Sequence, residues 1–148
     1  MMFCYQCQET ARNTGCTVMG VCGKNPEVSN LQDLLVYVLK GISYVIVKEG
    51  MDAASLKEIN FETVNSLFMT ITNANFDADA IEKQIRKMMS IRDELVRSAS
   101  SGDLHDASVF KADTSQSMLE KAASVGVLST VDEDIRSLRE LITYGLKG

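Results

Sequence analysis

All four cysteines of this 148-residue chain fall within its first 22 residues, at Cys4, Cys7, Cys16 and Cys22. A disulfide framework staples segments that are distant in sequence, and disulfides are rare in a reducing cytoplasm. A dense cluster at one end, spaced C-x2-C-x8-C-x5-C, reads instead as a metal site.

Two metals compete for that spacing. Structural zinc takes two short knuckles, each with two to four residues between its ligands, well separated in sequence. Here Cys4 and Cys7 are knuckle-like, but five residues separate Cys16 from Cys22 and the loop between the pairs is short. An iron–sulfur cubane presents four corners several ångströms apart, so unequal spacings within one compact loop suit it better. Gly15, Gly20 and Gly23 sit beside the second pair, where a tight backbone would bring N–H groups close to sulfur. Hydrogen bonds to sulfur are expected from the backbone of Gly15–Cys16 and Gly20–Gly23. Phe3, Val18, Met19 and Val21 are expected to shield the site from water. Spacing favours iron–sulfur and leaves zinc open.

The rest of the chain carries helical periodicity. Leu31, Leu34, Leu35, Val38, Leu39, Ile42, Val45 and Ile46 mark one helical face, with Asn30 as the expected cap, Asp33 in the first turn and an end at Lys48-Glu49-Gly50. Asn60 is the expected cap of a second helix with Phe61, Val64, Leu67, Phe68 and Ile71 on its apolar face. A third helix runs from near Asp77 to about Ser98 through Ile81, Ile85, Met88, Ile91 and Leu95. The fold class expected is all-α, a three-helix bundle over 30–98 behind a cysteine-rich loop over 1–29. Residues 99–131 read as a polar connector with a short helix after Thr114. Thr130 and Glu133 read as a capping box opening a last helix, 132–148, with Ile135, Leu138, Leu141, Ile142 and Leu146 on its face.

That last helix repeats the first. Leu31–Gly41 reads LQDLLVYVLKG and Leu138–Gly148 reads LRELITYGLKG, identical at six of eleven positions. The shared tyrosine and the Leu-Lys-Gly ending are not demanded by amphipathicity, which points to a duplicated helical unit whose second copy is cut short. The apolar stripe of 132–148 then lacks the helices that would cover it, and a dimer or swapped assembly is expected of the fragment.

Composition narrows the partners. With 15 basic and 20 acidic residues the net charge is −5, which argues against a nucleic-acid surface. The longest apolar run, 34–47, is broken by Lys40 and falls short of the roughly 20 residues a bilayer needs. No signal peptide opens the chain, so a cytoplasmic location is expected. His105 sits among Asp103 and Asp106 and reads as solvent-exposed, and the eight methionines read as core gap-fillers. Arg12 and Lys24 flank the cysteine loop and read as solvated surface, with contact to a donor protein or a neighbouring domain as the alternative.

The run FCYQCQETARNTGCTVMGVCGK (Phe3–Lys24), followed by NLQDLLVYVLKGIS (Asn30–Ser43), resembles the N-terminus of the hybrid cluster proteins, also called prismane proteins or hydroxylamine reductases. The ending DIRSLRELITYGLKG resembles a later helix of the same first domain. The resemblance implies a helical first domain containing two three-helix bundles, followed by two α/β domains. It implies that Cys4, Cys7, Cys16 and Cys22 hold a [4Fe-4S] cluster, since members with wider spacing hold [2Fe-2S]. Such a cluster would pass single electrons from a donor protein to a mixed iron–sulfur–oxygen hybrid cluster, where hydroxylamine is reduced to ammonia and, in some members, nitric oxide to nitrous oxide. The family's hybrid-cluster ligands are histidine, glutamates and further cysteines, whereas this chain has no cysteine after Cys22 and one histidine. The resemblance therefore implies an electron-relay fragment, inactive alone and without catalytic residues, that packs against downstream α/β domains. The competing reading is a zinc-stabilised, non-catalytic helical interaction module.

Overall fold

A computed structural model describes residues 1–72, 76–100 and 102–148. The middle of the expected loop between the second and third helices, 73–75, and Ser101 of the expected connector lie outside the described residues. Among the described residues six α-helices follow the cysteine loop: α1 Pro26–Lys48, α2 Lys57–Ile71, α3 Ala78–Ser98, α4 Asp106–Val109, α5 Ser115–Val125 and α6 Glu133–Lys147. Among the described residues there is no strand, only an isolated antiparallel bridge joining Cys4 and Cys16. The all-α expectation holds.

Helix α1 is the spine. It starts earlier than its hydrophobic pattern suggests, because Asn25-Pro26 supplies both a cap, with Asn25 Oδ1 accepting from the Val28 N–H at 2.8 Å, and a proline preset for the first turn. Asn30 is therefore inside the helix, and Asp33 lies two turns in, not at the N-terminus. By length and composition α1 could cross a membrane. Its apolar positions are instead spent on the core: Val28, Leu31, Leu34, Leu35, Val38, Ile42 and Val45 are fully or almost fully buried, packed against α3, α4 and α5. From α3, which begins near Asp77 as expected and is capped by it, come Ile81, Ile85, Met88, Met89 and Leu95. Of the methionines, Met2, Met88, Met89 and Met118 are buried, whereas Met1 and Met19 are exposed.

The stretch 99–131 does more than connect. Ala107, Phe110, Ala112, Met118 and Ala122 join the same buried cluster or its edge. Gly41 makes this possible, since a Cβ there would lie 2.2 Å from the Ala107 carbonyl oxygen. The Ser108 hydroxyl donates to the Gly41 carbonyl at 3.0 Å. Arg92 of α3, fully buried, donates to the carbonyls of Ala107 at 3.1 Å and Phe110 at 2.7 Å, reaches Asp93, and stacks on the Phe110 ring. His105 is exposed, as expected, but its Nδ1 caps α4 by accepting from the Ala107 N–H. Thr114 caps α5 through a reciprocal pair with Ser117.

Two helices differ from their patterns. Lys57 opens α2 after a 3-10 turn, Ala53–Leu56, that Asp52 caps, so Asn60 lies within the helix. Its inward positions are Ser66 and Thr70, with Ser66 accepting from Gln84 of α3 at 2.9 Å, whereas Phe61, Val64 and Phe68 are 58–69% exposed. Helix α6 is capped by Asp132 rather than Thr130, whose oxygens accept instead from Arg136 and Arg139. Its polar stripe, Arg136, Glu140, Thr143 and Lys147, is the covered one. Leu138, Leu141, Ile142 and Leu146 are 61–69% exposed.

Candidate metal centre

The cysteine loop is held by a few backbone bonds. Cys4 and Cys16 exchange N–H···O=C bonds at 3.0 and 2.8 Å. Residues directly opposed in such a pair project to the same face, so this bridge presents two thiols side by side. Between them the chain turns at Ala11–Asn13, where Arg12 and Asn13 both take left-handed φ values of 56° and 57°. For Arg12 that conformation is strained, by about 1 kcal/mol. The turn directs the Ala11 N–H toward the Cys16 sulfur at 3.5 Å. Gly15, at φ 148°, lies against the Phe3 ring, which a Cβ would meet at 2.5 Å.

The second half closes as a tight loop. The Gly20 N–H donates to the Lys24 carbonyl and the Gly23 N–H to the Gly20 carbonyl, both at 2.8 Å. A Cβ on Gly20 would stand 3.0 Å from the Cys22 sulfur and 3.1 Å from Lys24 Cβ. Gly15 and Gly20 thus serve close approach as expected, whereas Gly23 serves the turn through its φ of 93°, and the N–H groups of all three go to carbonyls. Cys16 also spends its N–H on a carbonyl, and the backbone N–H that reaches a sulfur is that of Ala11, outside the stretches expected to supply it. The expected shield is also corrected. Phe3 is half-buried, but Val18, Met19 and Val21 are exposed.

All four thiols are free: Cys16 is buried, Cys4 and Cys7 are half-buried, and Cys22 is exposed. Among the described residues, no three His, Cys, Asp or Glu side chains converge as ligands of a single ion. The thiols are therefore not gathered in advance around either a single ion, whose thiolates stand about 2.3 Å from one point, or a cluster core. A cubane takes four thiolates at four separate corners, and N–H groups directed at sulfur tune its potential. The loop has the thiolate donors and the Ala11 N–H. Buried polar atoms without partners, Gln6 Oε1 and Gln32 Nε2, lie between Cys4 and Cys7 in sequence and on the Lys24 side chain's anchor. The donor set fits an iron–sulfur cluster.

Lys24 overturns its reading as solvated surface. It is 3% exposed, with Nζ donating to Gln32 Oε1 at 2.7 Å and lying 3.9 Å from the Cys4 sulfur. Beside it the loop, α1 and α6 meet in charged groups. Burial pushes the Asp33 carboxyl up to about 7, against the pull of Lys147 and Lys24 and a hydrogen bond from the Val127 N–H. Burial lowers the Lys147 ammonium, while Asp33, Glu140 and Cys4 oppose that shift. Burial, then Glu140, raises the Tyr5 hydroxyl.

The chain is 65% identical over 147 residues to a hydroxylamine reductase of Acetivibrio thermocellus, covering 99% of this chain and 27% of that protein. Hydroxylamine reductases of Clostridium perfringens and Desulfovibrio desulfuricans are 48% and 46% identical over 155 and 149 residues, again over 99% of this chain and 28% and 27% of their own lengths. The chain thus spans a little over a quarter of the length of these relatives. Residues 2–148 match the Prismane/CO dehydrogenase family, and the chain belongs to that family.

Proposed function

We propose that this chain is the N-terminal electron-relay segment of a hydroxylamine reductase, in which Cys4, Cys7, Cys16 and Cys22 hold a [4Fe-4S] cluster. The observation that carries the reading is the Cys4–Cys16 bridge with the Ala11 N–H on the Cys16 sulfur, inside a loop whose relatives bear that name. When bound, the cluster supplies one-electron storage. The bridge opposes Cys4 and Cys16 across one backbone pair, and Cys22 follows in the Gly20–Lys24 turn, exposed on the side from which a donor protein would approach. Free thiols for ligation suit a reducing compartment, the cytoplasm.

Reduction of hydroxylamine to ammonia, or of nitric oxide, belongs to the longer protein. With no cysteine after Cys22 and His105 spent on capping α4, this chain has no second ligand set and is inactive alone. The outward apolar face of α6 is where further helices of a longer chain would pack, with its α/β domains beyond them. Anaerobic reconstitution tests the centre, with absorption, EPR and iron and sulfide assays. About four irons and four sulfides per chain, the composition of the cubane, support it. Zinc binding without sulfide leaves a structural module and overturns it.

A further inference from the structure

An ammonium taken out of water costs several kcal/mol unless charge or hydrogen bonds repay it. Lys24 makes no ion pair with a carboxylate among the described residues. Its contacts are a neutral amide oxygen, Gln32 Oε1, and a sulfur, Cys4 Sγ. Gln32 satisfies one N–H but brings no charge. Asp33 lies in its field but makes no ion pair with it, and is shared with Lys147. Of the two groups that contact its ammonium, the Cys4 sulfur is the one that can carry a negative charge.

The position is built rather than incidental. Lys24 closes the Gly20–Lys24 turn with its carbonyl, sits against the slot that Gly20 leaves open beside Cys22, and is tethered to the second turn of α1 through Gln32. One residue thus touches the segments of Cys4 and Cys22 and ties both to the spine.

We propose that Lys24 is a positioning residue of the thiolate centre, its buried ammonium the fixed counter-cation of the Cys4 thiolate and of the negative cluster bound there, and that it raises the cluster's reduction potential. The inference rests on the iron–sulfur reading above. Four thiolates around a [4Fe-4S]2+ core carry net charge −2. One electron from an external reductant takes the core to 1+ and the total to −3, with no bond broken and no proton required. A cation at fixed distance favours the more negative state.

The test compares Lys24→Met, Lys24→Arg and Gln32→Leu with the parent chain, each reconstituted anaerobically and titrated with dithionite through viologen mediators. Expected is a full cluster in Lys24→Met, with the reduced-to-oxidised ratio at fixed potential lower by about tenfold, equivalent to about 59 mV for one electron. Lys24→Arg keeps the parent ratio, and Gln32→Leu shifts it in the same direction as Lys24→Met but less. An unchanged ratio in a fully loaded Lys24→Met overturns the proposal and leaves Lys24 a packing residue. A second readout needs no cluster: the iodoacetamide alkylation rate of Cys4 in the metal-free chain at neutral pH, followed by peptide mapping. A rate about tenfold lower in Lys24→Met than in Lys24→Arg supports the ion pair, and equal rates overturn it even where Lys24→Met fails to load. Failure of the parent to assemble a cluster overturns the iron–sulfur reading alone, because the alkylation contrast still decides the pairing of Lys24 with Cys4.

Discussion

Asp33 offers the sharpest stability test of the junction between the cysteine loop, α1 and α6. Its carboxyl rises from an ordinary 3.8 to about 7 because burial penalises the anion more than Lys147, Lys24 and the Val127 N–H reward it. The folded chain therefore binds this proton more tightly than the unfolded chain. Stability is fully present below about pH 4 and is lost as pH rises toward about 7. Three units at 1.36 kcal/mol each set an upper bound of about 4 kcal/mol, and partial exposure of the side chain brings the expectation to about 2–4 kcal/mol. Asp33→Asn removes the charge and keeps the shape and an acceptor for Val127. Near pH 4 variant and parent should unfold alike; near pH 8 the variant should be the more stable by that amount. With a urea m-value of about 2 kcal/mol/M, the midpoint moves up by about 1–2 M. Urea melts of the reduced, metal-free chain followed by helical circular dichroism measure this. A difference between variant and parent that stays flat within about 1 kcal/mol from about pH 4 to 8 would refute the burial argument.

Other consequences are simpler. Arg92→Met leaves the buried Ala107 and Phe110 carbonyls without donors and should cost about 3–5 kcal/mol, read as an earlier thermal midpoint with α4 losing hydrogen-exchange protection first. Gly20→Val drives a side chain onto the Cys22 sulfur and Lys24. It should lower the iron bound per chain on reconstitution at unchanged helix content, and full loading would show that the loop yields more easily than its contacts imply. The apolar faces of α6 and α2 should make the isolated chain associate, so light scattering after size exclusion should give a mass above 16.3 kDa that rises with concentration, and a clean monomer at high concentration would contradict this.

Much of the fold was legible because α1 and α3 bury one continuous stripe each, and that stripe is written at helical spacing in the sequence. The helix starts were less legible. Asn25 and Asn30 are both reasonable caps, and only the proline after Asn25 decides between them. The polar look of 99–131 hid a core segment, because what docks it is the absence of a side chain at Gly41 and the hydrogen bonds of Arg92, neither of which leaves a periodic signal. The faces of α2 and α6 were read correctly as apolar, yet apolarity says only that a face is to be covered. In this chain α2 turns Ser66 and Thr70 inward, and α6 turns Arg136, Glu140, Thr143 and Lys147.

The candidate site shows the same division between types and placement. Cysteine spacing is a property of the chain alone, so four thiols in one loop could be read from it directly. Which N–H groups reach sulfur depends on which are already spent on carbonyls. The glycine-rich stretch spends its own on closing turns, and strain at Arg12 and Asn13 frees Ala11 to face Cys16. Lys24 is the harder case. A lysine beside a glycine at the end of a loop is ordinarily solvated, and its burial follows from Gln32, seven α1 residues from the helix start, meeting it with an amide oxygen. A charge that a local reading assigns to solvent is placed in the interior by a neutral partner, next to a cysteine sulfur and within the field of Asp33.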